Sequence, residues 1–120
     1  MILVDTNAWV NHLRRMDPRL VDFLTQQRVR TSDVVVGELL LGSGLPKTFA
    51  QNLAALPSLP SPTAAETRIF IERHRRAFAG SGVGWADVQI IVTAAKSGAR
   101  LHTSDGRVRK VCRAIKVVLA

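Results

Sequence analysis

Apolar positions along the chain follow two rhythms. Short runs at Met1 to Val4, Val29 to Thr31, Arg100 to Thr103 and Ile115 to Leu119 read as strands, and the stretches between them space their apolar side chains at helical intervals. Trp9, Val10 and Leu13 mark the inner face of a helix from Thr6 to about Arg15. Asp17 and Pro18 open a second helix as cap and first helical residue, and it carries Leu20, Val21, Phe23 and Leu24. Ser32 or Asp33 caps a third over Val34 to Leu41, closed by Gly42-Ser43-Gly44. A fourth covers Lys47 to Leu56. The stretch LPSLPSP allows at most a short edge strand around Leu59. Thr63, with Glu66 three residues later, begins a long helix to about Ala79. Trp85 to Ser97 and the basic segment Gly106 to Arg113 complete the helices.

Strands alternating with helices predict an α/β fold, a central parallel sheet of four to five strands with helices on both faces. Right-handed crossovers bring the carboxyl ends of the strands to one edge. Open α/β sheets bind ligands at that edge. Asp5 follows the first strand and Asp105 follows the strand RLHT, so both face it.

With 120 residues, 47% of them hydrophobic, the chain is sized for one domain covering residues 1–120. No apolar run reaches the roughly 18 residues of a membrane span, and no basic leader precedes the first strand. With Cys112 as the single cysteine, these features predict a cytoplasmic protein without a disulfide. The formal net charge of +8, carried mostly by arginine, points to a polyanionic partner.

Against that charge, the nine acids merit individual placement. Glu38 sits in DVVVGELLLG with Val34, Val35 and Leu41 around it, and an acid on an apolar helix surface normally pairs or binds metal. Asp87, in GVGWADVQIIVTAA, lies in a first helical turn, where the helix dipole favours its ionised form. Asp105, in LHTSDGR, also suits a turn or cap, as Asp5 suits a cap. Singly, each has an ordinary reading apart from Glu38. Of the histidines, His74 reads as core or rim, His12 lies on the first helix, and His102 is near Asp105 with its direction open. Trp9 and Trp85 read as core, and Glu72 and Arg76 as an exposed i, i+4 pair.

The ordered set VDTN, VVGELLLG, WADVQIIVTAA and LHTSD resembles the four-acid pattern of PIN-domain ribonucleases, and the short length is similar to the VapC toxins of toxin–antitoxin pairs. The resemblance implies a Rossmann-like PIN domain and an endoribonuclease that leaves a 5′-phosphate and a 3′-hydroxyl. It makes Asp5, Glu38, Asp87 and Asp105 the ligands of Mg²⁺ or Mn²⁺, supported by Thr6, Asn7 and Thr103. It further implies an antitoxin partner and a homodimer. The sequence departs from the pattern at Arg107 and Val108, where many relatives carry a further acid and an aromatic, leaving fewer ligands for a second ion.

The chemistry agrees with those residue types. Carboxylates alone repel a phosphodiester, whereas a hard divalent cation held between them attracts it and polarises the phosphoryl group. Arg73, Arg75 and Arg76 in RHRR, and Arg107, Arg109 and Lys110 in RVRKVCR, exceed the needs of solubility and are the candidate RNA contacts. The alternative is a non-catalytic module that binds RNA or protein at a degenerate acidic site. A phosphoaspartate receiver or phosphatase fits less well, because DTN lacks a second acid two residues after Asp5.

Overall fold

A computed structural model describes residues 1–42 and 44–120. The elements are β1 (Ile2–Val4), α1 (Thr6–Arg14), α2 (Pro18–Thr25), β2 (Val29–Arg30), α3 (Asp33–Leu41), α4 (Lys47–Ala54), α5 (Ala64–Arg73), α6 (Arg75–Phe78), α7 (Trp85–Ser97), β3 (Arg100–His102) and α8 (Gly106–Ile115). All three strands are parallel, in the order β2-β1-β3. Leu3 sits opposite Arg30 on one side and Leu101 on the other. β1 is apolar throughout because both its faces and both its edges are covered, and Ile2, Leu3 and Val4 are fully buried.

The crossover β1–α1–α2–β2 lies to one side of β1 and β3 pairs on the other. The strand order therefore reverses at β1. Such a switch point leaves a crevice beyond the strand ends, and Asp5 and Thr103 are the residues that leave β1 and β3 there.

The sheet has three strands among the described residues, not the expected four to five. At the outer positions only single bridges form, Thr31 with Ser58 and Leu101 with Leu119. Pro57 and Pro60 deny the first segment a donor on either side of that bridge. The second is shortened because α8 runs to Ile115 and Lys116 turns the chain in the left-handed region, φ 62°.

The local caps form as expected. Asp17 accepts from Arg19 N with Pro18 at the start of α2, and Thr63 and Glu66 form a reciprocal capping box. The expected helix from Thr63 to Ala79 is broken at His74, where φ −115° and ψ 36° leave helical values. The break separates Glu72 from Arg76, and Glu72 pairs instead with Arg68 at 2.7 Å. Trp9 is core, but Trp85 is not: its indole is 49% exposed. Ser43 of the expected Gly42-Ser43-Gly44 close lies outside the described residues. No described helix is long and apolar enough to cross a membrane.

Candidate active site

Asp5 ends β1 and caps α1, and it is buried to 2% exposure. Its Oδ1 accepts from Thr6 N at 2.7 Å and its Oδ2 from the Thr103 hydroxyl at 2.7 Å, so the acid ties β1, α1 and the end of β3 together. The carboxyl pKa is pushed up to about 6. Burial is the main cause, the Thr103 and Thr6 hydrogen bonds oppose it, and the charges of Asp87 and Glu38 add to it.

Glu38 and Asp87 thus act on Asp5 from α3 and α7, elements far apart in the chain. Glu38 accepts through Oε1 from the Thr6 hydroxyl at 2.7 Å, which explains an acid on an apolar helix: α3 buries Val35 and Leu39 and turns Glu38 towards the first residue of α1. Asp87 caps its own helix, accepting from Gly84 N at 3.3 Å. Asp105 sits farther out. Its Oδ1 accepts from Arg107 N and Val108 N at the start of α8, while its own N–H donates to the Thr103 hydroxyl that also serves Asp5. Glu38 and Asp87 therefore both act on Asp5, and Asp105 is linked to Asp5 through Thr103.

Among the described residues, ion pairs engage Glu72, Glu66 and Asp17, and none involves these four acids. In a chain of net charge +8, Asp5, Glu38 and Asp87 have no cation paired with them among the described residues, and carboxylate oxygens are the donor type Mg²⁺ and Mn²⁺ prefer. No group of three or more described His, Cys, Asp or Glu residues is gathered closely enough to hold an ion.

Sequence reasoning found Thr6, Asn7 and Thr103, and missed the residues that hold them. Asn7 Oδ1 accepts from Ser104 N and from the Ser104 hydroxyl, both at 3.2 Å, and Asn11 Nδ2 donates to Ser104 Oγ at 2.8 Å. This clamp fixes the turn after β3 to α1. Asn7 and Asn11 are one helical turn apart, and that spacing was the available signal. Arg109, an expected RNA contact, reaches inward to donate to the Thr103 carbonyl at 3.2 Å. His102 is turned away from the acids, with Nε2 2.9 Å from Asp17 Oδ2 and its ring edge-on to Phe23.

The remaining cations line two adjoining grooves that share Arg76, Ala77 and Ala114. One is lined by Arg73, Arg75 and Arg76; the other, about 360 Å³, by Arg76, Arg107 and Lys110 between α6 and α8. The two basic motifs, distant in sequence, thus form one strip that reaches α8 just beyond Asp105.

The PIN domain profile matches residues 2–114. Ribonuclease VapC32 of Mycobacterium tuberculosis, in two strains, is 37% identical over 122 aligned positions, covering 100% of this chain and 97% of the relative. Two solved structures share the fold. FitAcB from Neisseria gonorrhoeae has TM-score 0.64 and 24% identity, over 99% of this chain and 96% of that one. FitAB bound to an IR36 DNA fragment has TM-score 0.65 and 21% identity, over 100% and 94%.

Proposed function

The chain belongs to the PIN-domain family, as a VapC-type member, and from that premise we propose a metal-dependent endoribonuclease, the toxin of a toxin–antitoxin pair. The observation that carries the reading is the buried, unpaired Asp5 with the charges of Glu38 and Asp87 acting on it at the carboxyl edge of the sheet. In this reading Asp5, Glu38, Asp87 and Asp105 hold Mg²⁺ or Mn²⁺. Bound there, the ion would neutralise charge on the phosphoryl oxygens and lower the pKa of the attacking water.

The protein's own part is positioning. Thr103 holds Asp5 in one orientation, Thr6 holds Glu38, and the Asn7–Ser104–Asn11 clamp fixes the loop that carries Asp105. Such outer partners set how well ligands present their oxygens. The basic strip takes the phosphates of single-stranded RNA, so replacing Arg107 or Lys110 with Gln lowers the salt slope of RNA binding by roughly 0.7 each. The partner in this reading is an antitoxin, in line with relatives named VapC; it would cover the acidic crevice, and the active form would be a homodimer in the cytoplasm.

The test is cleavage of cellular RNA by the purified full chain with Mg²⁺ or Mn²⁺, with chelator, and as Asp5→Asn. We expect metal-dependent 5′-phosphate ends that disappear in the variant while its thermal transition persists. A further readout is independent of turnover: Mn²⁺ raises the Tm of the wild type more than that of Asp5→Asn. RNA binding with no cutting under any metal would sink the nuclease reading in favour of a binding module.

A further inference from the structure

We propose that Trp85 is the stacking platform for an unpaired RNA base beside the basic strip; the inference rests on the nuclease reading above and names the side chain that grips the base. The two tryptophans of this chain have opposite surroundings. Trp9 is 2% exposed and stacks edge-on against Phe49 at 5.6 Å, whereas Trp85 is 49% exposed. Among the described residues, its ring has no aromatic or cationic partner.

Its place in the fold is equally specific. Trp85 is the first residue of α7, and two residues on, Asp87 leaves the same turn on a different face, so the indole is set apart from the acids. The segment before it, Gly80 to Gly84, ties the indole to the basic strip. Gly80 and Ser81 line the groove of Arg76, Arg107 and Lys110. At Gly82, φ is +78° and a Cβ would lie 3.0 Å from Arg107 Nη1, so the arginine packs directly on bare backbone there. The chain thus leads from a groove of three cations, across glycine backbone packed on Arg107, to the half-exposed Trp85 three residues after Gly82.

Charge selects the occupant. A ligand that satisfies both ends of this stretch needs phosphates for the cations and a flat π-face for the indole. Single-stranded RNA supplies both, because its unstacked bases lie on aromatic side chains while its backbone follows basic grooves. Base pairing in a duplex would hide that face, so the platform selects single strands.

The experiment uses the full chain carrying Asp5→Asn, which prevents cutting, titrated with a short mixed-sequence single-stranded RNA and, separately, with polyphosphate. RNA is expected to quench the exposed indole and polyphosphate to leave its emission unchanged. Adding Trp85→Ala should weaken RNA binding roughly 5- to 100-fold, with polyphosphate binding and Tm unchanged, and Trp85→Phe should restore most of the affinity. Equal RNA binding with and without the indole overturns the platform while leaving the nuclease reading intact, and assigns the ring to a protein partner. Equal loss of RNA and polyphosphate binding also overturns it. A chain that neither binds nor cuts RNA overturns both.

Discussion

Asp5 and Asp17 are both helix N-caps, and each accepts from the backbone N–H groups of the helix it opens, Asp5 from Thr6 and Asp17 from Arg19. Their surroundings then diverge. Asp17 meets His102 at 2.9 Å, and although partial burial works against its charge, that hydrogen bond and those from Arg19 and Leu20 hold its carboxyl below the usual range. Asp5 is more deeply buried, meets the charges of Asp87 and Glu38, and is pushed up to about 6. The same local motif yields a stabilising cap in one place and an electrostatically costly carboxylate in the other. In the proposed function that cost would be relieved by a bound ion, because burial of a carboxylate without a cation destabilises the fold.

Breaking the comparison at Asp5 has the largest expected effect. Asp5→Asn should lower cleavage by more than about 100-fold, since loss of a direct ligand exceeds the 10- to 100-fold of its supporting partners. Asp17→Ala should leave cleavage within about twofold. Thr103→Val comes next, with a 10- to 100-fold loss in cleavage or Mn²⁺ affinity, because both Asp5 and the Asp105 loop lose the shared hydroxyl.

Stability should move in opposite directions at the two caps. A raised carboxylate pKa means that the folded protein holds the proton more tightly than the unfolded chain. That contribution is full below the ordinary value of 3.8 and is lost as pH rises through about 6. At pH 7.5 without metal the ionised Asp5 therefore costs on the order of 2–3 kcal/mol. Asp5→Asn should recover much of this in urea unfolding, and the gain should vanish near pH 4. Asp17 has the opposite sign: its contribution is present above the ordinary value and lost as pH falls through its lowered pKa. Asp17→Ala should cost about 1–2 kcal/mol at neutral pH. His102→Ala, which breaks the same pair, should cost about 1 kcal/mol with cleavage unchanged.

The sequence exposed the candidate acids through placement. Asp5 and Asp105 follow strands, Asp87 opens a helix, and Glu38 interrupts an apolar helix surface, so all four could be nominated before any contact was known. The support shell was only half legible. Thr6, Asn7 and Thr103 adjoin the acids in sequence, whereas Asn11 and Ser104 meet across 93 residues of chain. The sheet was overcounted because apolar runs near Leu59 and Leu119 resemble strands, yet each contributes one bridge. Helical periodicity continued smoothly through His74 and hid the break there. Hydrophobicity alone assigns Trp85 to the core, because it cannot tell an inward ring from an outward one.

Local pattern by itself determined the three strands of the sheet and most of the helices, the caps at Asp17, Thr63 and Asp105, and the edge of the sheet to which Asp5 and Asp105 belong. These follow from side-chain period and from hydrogen bonds between near neighbours, which a linear string carries in full. Only the folded chain decided that Glu38 and Asp87 oppose the ionisation of Asp5, that His102 answers Asp17, that Arg109 turns inward and that Trp85 is half exposed. Each depends on groups brought together from distant positions, and the free energy of a charge or a ring is set by what surrounds it in space.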